Sequence, residues 1–198
     1  MLDLEMDKRT TGEQAADALR AEILSGRIAD GTEINQAEVA QSFGLSRMPV
    51  REALRQLEGE GLIERLDNRH TRVIGMNKET RSSRFDLLAE IMTLAVASLN
   101  REDLGRLTVL WQGTQNEAQA HVAFHNHVFA LCQDRFLRQM YQRVFFGFLA
   151  YCLQHAHALP GKTRMAQALK SADKGARDAL HHALTQYYVR INDMLGKE

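Results

Sequence analysis

Apolar residues recur at about one helical turn from Thr11 to Ser25, as Ala15, Leu19, Ile23 and Leu24, which predicts an amphipathic helix with one buried side. Gly26 ends that pattern, Ala29-Asp30-Gly31 reads as a turn, and Thr32 to Ile34 as a short strand. Asn35 with Glu38 has capping-box spacing and opens a brief helix, about Gln36 to Phe43, with Val39, Ala40 and Phe43 inside. Gly44-Leu45-Ser46 is a tight turn. The next helix starts at Ser46 or Arg47 and runs to about Glu60, with Pro49 in its first turn, where a missing N–H costs little. Val50, Ala53, Leu54 and Leu57 face inward, while Arg47, Arg51 and Arg55 are spaced i, i+4, i+8 on the outer face. Beyond Gly61, residues 62–66 and 71–74 read as two strands joined by Asp67-Asn68-Arg69-His70.

The rest of the chain shows only helical periodicity. Residues 77–81 are polar and read as a linker. Leu87, Leu88, Ile91, Leu94 and Ala95 mark one helix, and Asn100 caps a second that holds Leu104, Leu107 and Leu110. A third covers about Glu117 to Cys132. A long fourth, about Asp134 to His155, is apolar on more than one stripe, which suits either a core position or a partner subunit. Two more follow, about Thr163 to Ser171 and Lys174 to Leu195. The expected fold is mostly α: a winged helix-turn-helix in residues 1–76, the linker 77–81, and an all-α bundle of about six helices in 82–198.

Two short helices with a glycine turn, the second beginning with arginines and followed by a hairpin, match helix-turn-helix geometry with a wing. The amino-terminal end of the second helix then enters the major groove of DNA, where Arg47 and Arg51 meet guanine edges or phosphates. Arg65, Arg69 and Arg72 lie on the wing. Charge totals lend this no support. The 198 residues sum to zero, and residues 1–76 hold ten Lys/Arg against fourteen Asp/Glu. The expectation rests on placement of the arginines alone. Cys132 and Cys152 sit in apolar helical patterns without a CxxC partner, as expected of reduced cysteines in a cytoplasmic protein. The charged first twenty residues do not resemble a signal peptide, and no apolar run reaches membrane-spanning length.

Residues 12–76 resemble the winged helix-turn-helix of the GntR family. The most specific marks are Ile23-Leu24-Ser25-Gly26-Arg27-Ile28 and the run from Ser46-Arg47-Met48-Pro49 through Leu57-Glu58. The resemblance implies DNA contacts by Arg47 and Arg51, and the expected DNA-binding set adds Ser46, Pro49 and Arg55 of the same helix and Arg69 and Arg72 of the wing. Met48 stands where the family has Thr or Ser, and His70 where the wing has glycine. The carboxy-terminal part is similar to the FCD effector domain of the FadR-type branch, on Phe124-His125, Phe136-Leu137 and the run Ala168 to Asp173 with Ala176-Arg177. That branch holds a divalent metal with one Asp and three His, and the metal orients a carboxylate effector. Here the set is degenerate: His125 matches one ligand, His121 replaces the Asp, Lys162 and Ala183 replace two histidines, and His182 lies one residue from the last.

The resemblance therefore leaves alternatives open. Zinc or nickel on His121, His125 and His182 is one, since His121 and His125 are spaced i, i+4. An anion held by His125, Arg143 and Lys162 is another. Satisfied polar groups in a core are the third. The expected function is a dimeric repressor that binds an inverted-repeat operator in double-stranded DNA and responds to a small-molecule, carboxylate-type effector. Against it stand a dimeric regulator with no ligand and a metal-dependent enzyme built on His121 and His125. The enzyme reading finds no HExxH, nucleophile elbow or phosphate-binding glycine loop.

Overall fold

The structure is a computed structural model that describes residues 10–66, 70–113, 117–173 and 175–195. The chain divides into two compact units, Met1–Met76 and Asn77–Glu198. It is mostly helical, with a winged helix-turn-helix first and a helical unit second.

The amino-terminal unit runs α1 (Thr11–Leu24), β1 (Glu33–Ile34), α2 (Gln36–Phe43), α3 (Arg47–Gly59), β2 (Ile63–Arg65) and β3 (Thr71–Val73). Thr10 caps α1 through a capping box with Glu13. At α2 the cap differs from expectation. The Asn35 side chain accepts from Ala37 N–H, and Glu38 meets the Asn35 amide instead of the backbone. The three strands form one antiparallel sheet in the order β1-β3-β2, with Glu64 opposite Arg72. Ala15, Ala16, Leu19 and Ile23 of α1 share the core with Val50, Ala53, Leu54 and Leu57 of α3, closed by Leu62, Ile63 and Val73 from around the sheet. Removing this apolar surface from water is what holds three short helices in one place.

Two contacts set how α1 lies on α3. Gly12 leaves room for close approach, since a Cβ there would come within 2.9 Å of Glu52 Oε2 and 3.4 Å of the Pro49 carbonyl. At the other end Arg20 donates to both carboxylate oxygens of Glu60, at 2.7 and 2.6 Å, and both residues are buried. Gln56 donates to the same carboxylate at 3.0 Å, and Asp17 also accepts from Arg20. Burial alone would lower the Arg20 pKa, but its bonds to Glu60 and Asp17 outweigh that and hold it above the ordinary value.

The carboxy-terminal unit contains α4 (Lys78–Ala97), α5 (Arg101–Gly113), α6 (Ala118–Leu131), α7 (Arg135–Met140), a π turn (Tyr141–Phe145), α8 (Phe146–His155), α9 (Lys162–Asp173) and α10 (Arg177–Met194). Residues 78–81, expected to be linker, form the first turn of α4. Asn77 accepts from Thr80 N–H at 2.9 Å, so the polar stretch is a capped helix start. The expected single fourth helix is interrupted: Phe146 N–H bonds back to the Tyr141 carbonyl, five residues away, which widens one turn. The apolar period across Leu137, Tyr141, Phe145, Phe148 and Cys152 is that of an ordinary helix and does not mark this turn. α10 packs against α9 and α4, α5 against α9, and α6 against α8. Phe85, Trp111, Phe124, Phe148, Tyr187 and Tyr188 fill the core. No helix among the described residues is long and apolar enough to cross a membrane.

Two glycines separate backbone strain from crowding. Gly44 has φ +63° with open space around it, whereas a Cβ on Gly75 would meet Asp30 Cβ at 2.4 Å. Gly44→Ala is expected to cost about 1 kcal/mol through backbone conformation alone. Gly75→Ala is expected to cost about 1–3 kcal/mol and displace the segment around Asp30. Urea unfolding of both variants, read with amide shifts near Asp30, checks the difference.

Candidate nucleic-acid interface and the interior of the helical unit

α3 begins at an exposed turn. Ser46 is its N-cap residue but makes no side-chain capping bond, and no acidic residue occupies the first turn. The first amide groups of a helix have no intrahelical acceptor and carry partial positive charge, so this end suits an anion such as a phosphate. Gln36 Nε2 donates to the Arg47 carbonyl at 2.7 Å, tying the start of α2 to the start of α3. This contact was not foreseen, because a glutamine at a helix start is ordinary in sequence.

Arg47, Arg51 and Arg55 are all exposed, and Pro49 is half-buried at the first turn. Neither Arg47 nor Arg55 has an acidic partner among the described residues. Arg51 rests one nitrogen 3.0 Å from the Met48 sulfur. Met48 is itself exposed, so the hydroxyl that Thr or Ser would offer is replaced by a thioether over the arginine. The wing is different. Arg72 donates to Glu64 across the strand pair at 2.8 Å, and Arg65 donates to Glu58 at 3.1 Å. His70 Nδ1 lies 2.7 Å from Glu33 Oε2. Arg69 lies outside the described residues. The expected set thus splits into bare guanidinium groups on α3 and a neutralised Arg72 on β3.

The histidines expected to hold a metal in the second unit do not come together. His121 and His125 are completely buried on α6, whereas His182 is exposed on α10. His121 Nδ1 lies 2.7 Å from Tyr187 Oη. His125 Nδ1 donates to the His121 carbonyl at 2.7 Å, so the neutral ring's Nε2 accepts from Tyr188 Oη at 3.0 Å. Trp111 stands edge-on against His121 with ring centres 4.8 Å apart, and Phe124 packs on Trp111 at 4.7 Å. Among the described residues no group of three His, Cys, Asp or Glu side chains is placed to hold a metal. The donor set does not fit zinc or nickel, because both nitrogens of His125 are engaged and the space is filled with aromatic rings. Arg143 is exposed on the π turn, away from the sealed surroundings of His125. Lys162 opens α9, and its side chain lies outside the described part.

The first unit therefore has the arrangement of a winged helix-turn-helix, the class of domain that presents one helix end and a hairpin to duplex DNA. Residues 11–73 match the family described as bacterial regulatory proteins, gntR family, and the chain carries a GntR-family helix-turn-helix domain. It is 32% identical over 102 residues to a gluconate operon transcriptional repressor of Bacillus licheniformis, covering 52% of this chain and 42% of that protein. It is 30% identical over 128 residues to the HTH-type transcriptional regulator YdhC of Bacillus subtilis, covering 64% of this chain and 56% of that one. The match spans about two fifths of the length of the gluconate repressor. Among solved structures, E. coli McbR/YncC aligns with TM-score 0.56 at 18% identity, over 94% of this chain and 97% of that one. A GntR family member from Pseudomonas syringae aligns with TM-score 0.52 at 24% identity, over 93% and 84%. These structural likenesses concern the fold.

Burial pushes the His125 imidazole down to about 4, while its bond to the His121 carbonyl pulls the other way. The folded chain thus refuses a proton that the unfolded chain accepts near the ordinary histidine value. Stability contributed by neutral His125 is present above about pH 6.5 and is lost as the pH falls toward about 4. Denaturant unfolding is expected to show about 2 kcal/mol less stability at about pH 5 than at about pH 7.5, a difference that His125→Asn removes.

Proposed function

We propose that this protein is a DNA-binding transcriptional repressor that acts in the cytoplasm as a homodimer on an inverted-repeat operator and responds to a small-molecule, carboxylate-type effector. The observation that carries the DNA reading is the exposed start of α3. Ser46 and Arg47 at that start, with Arg51 and Arg55 one and two turns further along, have no carboxylate partners among the described residues, on a helix whose opposite side is locked into the core. Arg47 and the free amide groups suit phosphates, which fix position. Arg51, one turn further in, suits a guanine edge, which carries sequence. The repressors to which the chain is similar support the sign of regulation.

Dimerisation is supported by apolar side chains left in water on the helical unit. Leu87 and Leu94 lie seven residues apart on α4, and Val109 and Leu110 are exposed on α5. A closed two-fold pair covers such a surface and matches the two halves of a palindromic site. The aromatic packing around His121 and His125 favours an effector site elsewhere and leaves the enzyme reading no open reaction site there.

Gel-shift titration with DNA flanking the protein's own gene is expected to give a specific, salt-sensitive complex at moderate salt. Arg51→Ala should weaken specific binding by about 1–3 kcal/mol and relax preference at one base pair per half-site. Arg47→Ala should weaken binding to all sequences alike and flatten the salt dependence. Absence of any specific complex, or an Arg51→Ala protein with unchanged operator affinity, overturns the assignment.

A further inference from the structure

We propose that the groove between α6 and the α7–π segment binds a planar aromatic anion, its charge held by Arg135 and Arg138. This places the effector of the regulator reading at a site none of the expected residues mark, and it rests on that reading only for its regulatory consequence. The groove has a volume of about 820 Å³ and is lined by Asn126 and Phe129 of α6, Arg135 and Arg138 of α7, Tyr141 of the π turn and Phe146 of α8. Small-molecule sites commonly fall in this size range and combine apolar walls with a few fixed polar groups.

Charge selects an anion. Arg135 and Arg138 are three residues apart on one helix face, and among the described residues no acidic side chain lines the groove. Several arginines elsewhere in the molecule are taken up by carboxylates: Arg20 with Glu60, Arg27 with Glu22, Arg65 with Glu58, Arg72 with Glu64, Arg106 with Glu102. Neither Arg135 nor Arg138 does so among the described residues. The neighbouring Asp134 is committed as the cap of α7, accepting from Phe136 and Leu137 N–H at 2.8 and 3.2 Å. Tyr141, 1% exposed, donates its hydroxyl to the Asn126 side-chain Oδ1 at 3.1 Å, which leaves the Asn126 NH₂ as a third donor at the rim.

Shape selects an aromatic ring. Phe129 and Tyr141 stack at 4.1 Å with their planes 7° apart, and Phe146 stands edge-on to Tyr141 at 6.3 Å. Phe146 stays 41% exposed, a phenyl face in water beside two cations. A flat ring laid there covers apolar surface and places its acid group on two guanidinium forks, an arrangement a lone inorganic anion does not use. The π turn that carries Tyr141 is of a kind that recurs at ligand sites.

The test uses the full chain with 1-naphthoate as probe, followed by calorimetry, and 1-naphthylmethylammonium as the charge-reversed control. Naphthoate is expected to bind saturably at one site per chain, and the ammonium not to bind. The double variant Arg135→Gln/Arg138→Gln should weaken naphthoate by at least about tenfold, Phe146→Ala should weaken it as well, and Arg143→Gln, outside the lining, should leave it unchanged. Circular dichroism confirms that the variants fold. Equal binding of both probes, no binding of naphthoate, or unchanged affinity in the double variant overturns the proposal. So does a double variant that alters only the monomer–dimer balance in sedimentation, since the groove then belongs to a second copy. Operator affinity is measured separately, so failure of the DNA reading leaves the probe result standing.

Discussion

The buried pair of Arg20 and Glu60 fixes the geometry on which the arginine-bearing face of α3 depends. Desolvating two opposite charges costs several kcal/mol each, and the cost is met only when geometry and additional hydrogen bonds are good. Here both carboxylate oxygens are used, Gln56 adds a third bond, and Asp17 takes another guanidinium hydrogen. Removing one member would leave an uncompensated buried charge, which makes this register of α1 on α3 strongly preferred. With Gly12 against Pro49 at the other end, the two helices run in the same direction, pinned at both ends. The arginine-bearing face of α3 is thereby aimed by contacts on its opposite side.

The acidic balance of the first unit is resolved by position. Glu58 and Glu64 answer Arg65 and Arg72, while the acids of α3 leave Arg47 and Arg55 alone. Arginines without a carboxylate partner among the described residues are therefore gathered on one helix. A surface built so attracts phosphates locally while its acidic flanks discourage loose contact in other orientations.

Much of this was legible in sequence, for a physical reason. Helix period, glycine turns and the Arg47, Arg51, Arg55 spacing are local properties, and burial of Val50, Ala53, Leu54 and Leu57 follows from them. What was not legible depends on partners distant in the chain. Arg20 and Glu60 are forty residues apart. The Glu64–Arg72 pair appears only once the strand register is known. His121 and His125 at i, i+4 suit a metal or two hydroxyls equally. Only the fold, by setting Tyr187 and Tyr188 against them, selects the second. Residues 78–81 looked like linker because the start of a capped helix is as polar as a loop.

The central strand β3 is braced from both edges. His70, just before it, reaches Glu33 of β1, and Arg72 reaches Glu64 of β2. These cross-strand ties give up side-chain freedom during folding. Strands tied in this way have less side-chain motion left to surrender in any complex formed through this sheet. Under the proposed DNA-binding reading, ordering of these side chains would then add little to the entropy cost of association.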